Sequence, residues 1–321
     1  MNKVYRWLTS IMLLAIVAVP AFAGSPADTA SKGPLKVFIL AGQSNMQGAG
    51  VIKMDARRNG GKGSLEFMVR DPRMAERTRH MVDADGNWVV RKDVWIWYLD
   101  RKGGLTAGFG AKDTSIGPEF GFGHYVGEAL DGQILLIKTA WGGKSLAVDF
   151  RPPSSGGQIG PFYTEMLEHV KSVLGDIKAH FPAYDGRGYE LVGFGWHQGW
   201  NDRVNQAHND AYEGNMVNFI HDVRKELGVK DLPFVIAETG MSGHEEKHPR
   251  ALSLMRAQAA AAARTEFKGN VAFVGTKDFY RPKEESPSGQ SYHWNSNAET
   301  YFLIGDGMAK AMLALLNDGT K

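Results

Sequence analysis

The sequence predicts an α/β fold, a three-layer α/β/α sandwich around a central sheet of five parallel strands. Five continuous apolar runs have the composition of strands that are buried on both faces, and segments with helical periodicity separate them. Strands that alternate with helices favour a doubly wound parallel sheet with right-handed crossovers. The 321 residues contain no fixed-period repeat and no clear linker, so we predict one domain over residues 35–321.

The strands are predicted from continuous apolar runs, and the helices from apolar residues that recur with a period near 3.6. A helix over residues 163–179 is indicated by apolar residues with a period near 3.6, among them Met166, Val170 and Val173. The same period recurs later in the chain. The predicted strands are residues 37–41, 134–137, 191–194, 234–237 and 271–274. The predicted helices are residues 163–179, 211–227, 251–264 and 299–316.

Residues 51–115 interrupt the alternation of strands and helices. They are rich in charge, glycine and tryptophan, and the stretch 83–87 followed by apolar residues indicates a hairpin turn. We interpret this region as an insertion after the first strand that lies over the carboxyl edge of the sheet. Open α/β sheets bind their ligands at that edge.

The first residues have the order of a secretory signal. Lys3 and Arg6 precede an apolar run from Leu8 to Val19, and Ala21 and Ala23 place small residues at a cleavage site. The run of about 12 residues is shorter than the roughly 20 that a spanning helix needs. We therefore predict a signal peptide over residues 1–23, a leader segment over 24–34, and export to the periplasm or outside the cell.

The composition restricts the partners of the exported chain. Of the 37 basic and 35 acidic residues, two basic ones lie in residues 1–23, so the remaining chain is balanced in charge. This balance argues against nucleic acid as a partner. There are no cysteines, which excludes disulfides, thiol catalysis and cysteine metal sites. After signal cleavage, no further stretch is apolar enough for a membrane span.

Four short blocks carry the candidate chemistry, each near a strand end or before the last helix. Ser44 follows the first strand within Gly-Gln-Ser-Asn-Met and is placed to present its hydroxyl at the ligand edge. Gly143 follows the second strand and can offer a backbone N–H to an oxyanion. Gln198 follows the third strand with a side-chain amide that can donate to the same charge. His293 lies in the loop before the last helix.

Together these blocks resemble the SGNH-hydrolase superfamily, whose fold is flavodoxin-like. The stretches around Ser44 and Gln198 look like the sialate O-acetylesterase and acetylxylan-esterase branch, carbohydrate esterase family six. The resemblance covers roughly residues 35–317. It implies a serine esterase that removes acyl groups, acetyl by preference, from a carbohydrate, without a metal or another cofactor.

The resemblance also implies the role of each residue. Ser44 attacks the ester carbonyl, and His293 takes its proton and delivers it to the leaving alkoxide. The N–H groups of Ser44 and Gly143, with Gly142 as the substitute for Gly143, and the Gln198 amide form the oxyanion hole. The residues that we expect to contact substrate are Gln43, Asn45, Trp141 and Trp200.

Two positions depart from the family pattern. The family usually has an acid after the Gln-Gly pair, where this chain has Trp200. The family also commonly has an aspartate two or three residues before the histidine, where this chain has Ser291 and Gln290. Three substitutes for that acid stay open: Asp278 first, Glu238 second, and a Ser-His dyad held by a backbone carbonyl third.

Two other functions compete with the esterase hypothesis. The missing acid would fit a degraded esterase that binds carbohydrate through some of its eight tryptophans without turnover. The segment from His244 to His248 matches the HExxH pattern of zinc proteases. Pro249 disfavours helical geometry at His248, so we expect a loop there and no metal site.

Overall fold

The computed structural model describes residues 33–318. The predicted signal peptide, residues 1–23, and all but the last two residues of the predicted leader segment lie outside the described residues. Within the described range, no helix combines the length and the apolar character that crossing a bilayer requires.

The described chain alternates strands and helices over most of its length. The strands are β1 Leu35–Gly42, β2 Gly50–Val51, β3 Val94–Tyr98, β4 Arg101–Gly104, β5 Ser115–Ile116, β6 Ile134–Ala140, β7 Tyr189–His197, β8 Phe234–Ala237 and β9 Val271–Val274. The helices are α1 Ser44–Gln47, α2 Leu65–Met68, α3 Ala75–Thr78, α4 Pro118–Ala129, α5 Pro161–Gly175, α6 Ile177–His180, α7 Trp200–Arg203, α8 Gln206–Asp210, α9 Tyr212–Leu227, α10 Pro249–Ala262 and α11 Ala298–Asp318.

The main sheet has seven strands in the order β4-β3-β6-β1-β7-β8-β9. All neighbours pair in parallel except β3 and β4, which are antiparallel. The five predicted strands are all present, so the predicted fold class is confirmed and the predicted number of strands is wrong. The two extra strands, β3 and β4, come from the insertion, which we had placed wholly over the carboxyl edge.

Helices cover both faces of the sheet, as a three-layer sandwich requires. Alternate residues of β1 enter different cores: Val37 and Ile39 pack beneath α5, α9 and α10, whereas Phe38 and Leu40 pack beneath α4 and α11. A strand that is covered on both faces needs apolar residues at every position. This requirement is why β1 reads as an uninterrupted apolar run.

The predicted helices are present, with shifted ends. The helix predicted over residues 163–179 is divided at Asp176, whose side chain accepts a hydrogen bond from the Ala179 N–H and caps the short α6. α9 ends at Leu227 and is capped by Gly228, which has the left-handed backbone (φ 69°) that glycine adopts at low cost. α4, Pro118–Ala129, was not predicted as a helix.

The remainder of the insertion lies against other parts of the chain. Its predicted hairpin turn is present at residues 83–87 and is closed by a single bridge between Val82 and Trp88. The Asn59 side chain donates to the carbonyls of Lys283 and Ser286, in the segment that leads to His293. Part of the insertion therefore does reach the carboxyl edge.

Three adjacent strands end side by side at that edge. In the register of the sheet, Gly42 of β1 pairs with Ala140 of β6 and with His197 of β7. A Cβ on Gly42 would come within 2.2 Å of the His197 carbonyl oxygen, so only glycine allows β1 and β7 to approach this closely. The residues that follow these strands are thereby brought together.

A buried ion pair supports α1 from below. Lys138 of β6 is fully buried, and its Nζ donates to Glu119 Oε2 at 2.6 Å and to the carbonyls of Gln47 and Phe109 at 2.7 Å. Burial lowers the pKa of Lys138 to about 8. The lysine fixes the last residue of α1 to the start of α4, which makes α1 a rigid support.

Candidate active site

Ser44 is the first residue of α1 and directly follows β1 and Gln43. The first N–H groups of a helix have no acceptor within the helix. The N–H of Ser44 can therefore serve an oxyanion while the side chain of the same residue attacks. Ser44 is half-buried, and Gln43 Nε2 lies 3.5 Å from its Oγ.

Gln43 itself is buried and holds the loop after β7. Its Oε1 accepts hydrogen bonds from the N–H groups of Gly199 and Asn201 and from Gln198 Nε2, each at 3.2 Å. We expected Gln43 to contact substrate. With 2 % of its surface exposed and its oxygen occupied, it positions the loop in this structure instead.

Gln198 and Asp202 join the same loop to the one after β6. Gln198 Nε2 contacts the Lys144 carbonyl at 2.9 Å and Asp202 Oδ2 at 2.6 Å. The Asp202 carboxylate also accepts the N–H groups of Leu146 and Ala147, both at 2.8 Å. We call Gln43, Gln198 and Asp202 the carboxyl-edge network, because they fasten the loops after β1, β6 and β7 to one another.

This arrangement changes the predicted role of Gln198. The side chain is 1 % exposed, and its N–H groups already serve three protein acceptors. A buried donor that is already paired cannot turn to a substrate oxygen without leaving its own acceptors unpaired, which costs free energy. Gln198 therefore supports the loops in this structure, and its assignment to the oxyanion hole does not fit the geometry.

Asn201 is the amide that does face the cleft. Its Nδ2 donates to the Gly143 carbonyl oxygen, and its second N–H is left for another acceptor. Gly142 and Gly143 are exposed, and Gly143 has a left-handed backbone with φ 70°. A Cβ on Gly142 would lie 3.9 Å from the Ser44 Cβ. The glycine turn thus lies beside Ser44, and Asn201 is bonded to that turn.

Asn45 and Tyr301 connect α1 to the loop that carries His293. Asn45 Nδ2 donates to the Tyr292 carbonyl at 3.0 Å, and the Tyr301 hydroxyl donates to Asn45 Oδ1 at 2.9 Å and to the His293 carbonyl at 3.3 Å. Asn45 was expected to contact substrate, but it is buried and both ends of its amide are occupied. Its bonds join the neighbours of Ser44 and His293.

The backbone after His293 has an unusual conformation. Trp294, Asn295 and Ser296 all have positive φ, at 51°, 55° and 58°. Left-handed residues other than glycine are strained, and such strain concentrates at functional sites. Asn295 Nδ2 secures the turn through a 3.0 Å hydrogen bond to the Arg281 carbonyl. The loop is held in a conformation that a free chain would avoid.

His293 is half-buried, and burial lowers the pKa of its imidazole below the ordinary value of 6.5. Burial disfavours the charged form, so the neutral imidazole, which can accept a proton, predominates at neutral pH. Among residues 33–318, no carboxylate forms a hydrogen bond or an ion pair with this ring. Within that range, no carboxylate therefore fixes the orientation of the imidazole in this structure.

Both predicted substitutes for the acid have other partners. Asp278 Oδ1 lies 2.7 Å from His244 Nε2, and both side chains are strongly exposed. Glu238 is buried: its Oε2 accepts from the Thr276 N–H at 2.9 Å, and its Oε1 lies 3.5 Å from Lys277 Nζ. Neither acid reaches His293 in this structure.

Trp141 and Trp200, the other residues expected to contact substrate, lie at the ends of β6 and β7. Trp141 is half-buried and packs against Phe150 and Phe162, with ring centroids 6.0 Å and 5.3 Å away. Trp200 is half-buried beside Tyr292. Both rings border the loops around Ser44, and substrate contact stays a prediction for each.

The HExxH segment lacks the geometry of a zinc helix. His244 lies in a short 3₁₀ turn, Gly243–Glu245, whereas His248 precedes Pro249 and caps α10. The two histidines therefore do not share a helical face. Over residues 33–318, no group of three or more histidine, aspartate or glutamate side chains is arranged to hold a metal ion.

Comparison with known proteins decides the family. The family model described as carbohydrate esterase, sialic acid-specific acetylesterase matches residues 34–314. The chain belongs to this carbohydrate esterase family. It is accordingly a carboxylic-ester hydrolase that acts on acylated carbohydrate. None of the curated proteins matches the chain significantly.

Solved structures support the fold of this carbohydrate esterase. A protein from Arabidopsis thaliana has a TM-score of 0.56 and 18 % identity, with 87 % of this chain and 98 % of that chain covered. A carbohydrate acetylesterase from Xanthomonas citri has a TM-score of 0.53 and 14 % identity, with 86 % of this chain and 55 % of that chain covered. At these identities the likeness extends to the fold alone.

Sequence reasoning missed Asn201, Asp202 and Tyr301 in the esterase site. Asn201 and Asp202 lie two and three residues beyond the Gln-Gly pair. The side-chain amide of Asn201, close to a strand end, was a signal that could have identified it as an oxyanion donor. The carboxyl group of Asp202 gave no such signal, because its partners are backbone N–H groups of a distant loop. Tyr301 lies on α11 at the helical spacing of the residues that face the core. This spacing does not distinguish it from an ordinary core residue.

The lowered pKa of His293 predicts the pH dependence of the esterase. If His293 is the base, as the resemblance implies, its imidazole must be unprotonated, so kcat/KM for an aryl acetate should rise with pH to half its plateau at a pH below 6.5 and stay level through neutrality. Initial rates across the pH range give this profile. His244→Gln, which removes an exposed histidine, should leave the midpoint unchanged. A midpoint above 6.5 would indicate a carboxylate that stabilises the imidazolium.

Proposed function

We propose that this esterase removes O-acetyl groups from a carbohydrate with Ser44 as nucleophile and His293 as general base and acid. The observation that carries the proposal is the hydrogen bond from Asn45 to the Tyr292 carbonyl, which joins the neighbours of the two catalytic residues. The glycine turn borders the same serine, and Asn201 is hydrogen-bonded to that turn. A nucleophile, a base and oxyanion donors thereby converge on one edge of the sheet.

In the first half of the reaction, Ser44 Oγ attacks the ester carbonyl carbon and its proton passes to His293. The carbonyl oxygen becomes an oxyanion, which accepts hydrogen bonds from the N–H groups of Ser44 and Gly143 and from Asn201 Nδ2. Collapse of this intermediate breaks the bond to the sugar oxygen. That oxygen takes the proton from His293, and the acetyl group stays on Ser44.

In the second half, His293 takes a proton from water as the water oxygen attacks the acetyl carbon. The same donors stabilise the second oxyanion. Collapse returns the proton to Ser44 Oγ and releases acetate. No step requires His293 to be paired with a carboxylate, although such a partner raises the efficiency of related triads. The strained loop and the Tyr301 hydrogen bond to its carbonyl supply orientation instead.

The order of charged, apolar and small residues over residues 1–23 supports export of the enzyme before it acts on its substrate. Lys3 and Arg6, the apolar run after them and the small residues at the end have the order of a signal peptide. We propose that the esterase works in the periplasm or outside the cell. Acetylated polysaccharides, which are too large to enter a cell, and sialic acids outside the cell would be accessible to it there.

Ser44→Ala should reduce the hydrolysis of a small aryl acetate by purified protein to background, a loss of roughly 10⁶-fold in kcat by analogy with serine hydrolases. The alanine removes the only atom that forms the acyl bond. Steady-state rates with a metal chelator present test this. Ser242→Ala, in the loop after β8, is the matched control and should retain activity. Equal turnover by Ser44→Ala would exclude the serine mechanism.

Asn201→Ala should lower kcat by about 10²–10³-fold, because it removes one oxyanion donor. Asn201→Asp should be at least as damaging, since it keeps the shape but replaces the donor with a negative charge. Gln198→Ala should instead lower the thermal stability, because the three loops lose a shared partner. Rates at saturating aryl acetate and thermal unfolding separate the two effects. A full loss of kcat in Gln198→Ala with unchanged stability would restore Gln198 to the oxyanion hole.

A further inference from the structure

Three side chains form a continuous surface beside His293. The Tyr292 ring lies 4.5 Å from the His293 ring and 5.8 Å from the Trp200 ring, measured between centroids. The Arg203 guanidinium carbon lies 4.1 Å from the centre of the Trp200 ring. We call Trp200, Arg203 and Tyr292 the aromatic platform.

The platform is anchored to the catalytic groups at both ends. The Tyr292 carbonyl accepts the hydrogen bond from Asn45, the residue after the nucleophile. At the other end, Trp200 precedes Asn201, whose backbone N–H donates to Gln43. The backbone beside each ring is therefore held to a residue next to Ser44 by a hydrogen bond between a side chain and a backbone group.

Arg203 stiffens Trp200 and covers part of it. A guanidinium over an indole face is attracted by the ring quadrupole. Among the described residues, the buried Nε of Arg203 has no hydrogen-bond partner, and the guanidinium instead stacks on the Trp200 ring. Arg203 covers one face of Trp200. Tyr292 lies beside Trp200 and is 41 % exposed, so its ring extends the apolar surface that a ligand can reach.

The chemistry of the reaction determines which part of the substrate meets this surface. His293 must reach the oxygen of the leaving alcohol to protonate it, whereas the carbonyl oxygen is bound by the N–H groups of Ser44 and Gly143 and by Asn201 Nδ2 in the proposed mechanism. The leaving sugar therefore lies on the His293 side. The C–H face of a sugar ring is apolar and packs on aromatic rings, which combine a large apolar area with a fixed position.

We propose that the aromatic platform is the subsite that stacks the leaving sugar, so it selects carbohydrate esters over simple alkyl esters. This inference rests on the proposed function, because it takes His293 as the proton donor. The platform acts in acylation, when the sugar is still attached. It has no role in deacylation, when the sugar has left and only acetyl remains on Ser44.

Two esters with the same acetyl group test the proposal: a methyl glucoside that carries one acetyl group, and ethyl acetate. Tyr292→Ala and Trp200→Ala should each lower the ratio of kcat/KM for the sugar ester to that for ethyl acetate by about tenfold. Tyr292→Phe should restore the ratio, because it keeps the ring. The deacylation rate constant should be the same in all variants. It is measured separately, from the pre-steady-state release of the aryl alcohol with an aryl acetate as substrate.

Tyr189→Ala is the matched control for the platform variants. Tyr189 is a tyrosine of similar exposure, 45 %, at the amino end of β7, which is the opposite edge of the sheet. Its ratio of the two kcat/KM values should equal that of the wild type. Free methyl glucoside should also inhibit the wild type more strongly than Tyr292→Ala.

Either of two results would overturn the proposal. An equal loss on both esters would show that the platform positions His293 and does not bind the sugar. An unchanged ratio in both alanine variants would show that the sugar lies elsewhere. Failure of the proposed function is separate from both: wild type would hydrolyse neither ester, or Ser44→Ala would still hydrolyse them.

Discussion

The site depends on a few buried side chains that take the place of regular pairing where the strands end. Beyond Gly42, Ala140 and His197 the sheet stops, and backbone groups of three loops lose their ladder partners. The carboxyl-edge network replaces those partners: Gln43 Oε1 accepts two backbone N–H groups, and the Asp202 carboxylate accepts two more. Buried polar groups must be paired, so each of these side chains determines where a whole loop lies.

The buried carboxyl group of Asp202 is stabilised by the hydrogen-bond donors around it. Burial raises the pKa of the Asp202 carboxyl, whereas hydrogen bonds from Gln198 and from the Leu146 and Ala147 N–H groups oppose this shift. A carboxylate with three donors around it is satisfied without a cation. Through the N–H groups of Leu146 and Ala147, the Asp202 carboxylate therefore holds the segment that follows the glycine turn.

The sequence predicted the sheet well because the physical signal was strong and local. Strands covered on both faces must be apolar throughout, and all five runs of this kind are strands of the sheet. β4 was missed because it is an edge strand with the residues Arg-Lys-Gly-Gly, which carry no apolar alternation. β3, Val94–Tyr98, is itself an apolar run, but it was missed because it lies within the charged, glycine-rich insertion. Edge strands tolerate charge and glycine, so their composition resembles that of a loop.

The structure shows where the predicted site residues lie and which way their side chains point, and their catalytic roles stay predictions. Ser44, the glycine turn and the His293 loop meet at the carboxyl edge, as parallel strand ends must. Gln43, Asn45 and Gln198 also lie there, but their side chains point inward and bond the protein. Whether an amide beside a nucleophile faces the ligand or the loop depends on distant acceptors, such as the Tyr292 carbonyl, and sequence spacing does not reveal them.

The central claim is that Ser44 and His293 are aligned by the carboxyl-edge network and the strained loop, without a carboxylate on the imidazole. The most direct measurement is kcat on an aryl acetate for Asp278→Asn and Glu238→Gln beside His293→Ala, with folding checked by thermal unfolding. The claim predicts that both acid variants stay near the wild-type rate while His293→Ala loses activity. A loss of about 10⁴-fold in either acid variant, the size seen when a triad acid is disabled, would contradict it.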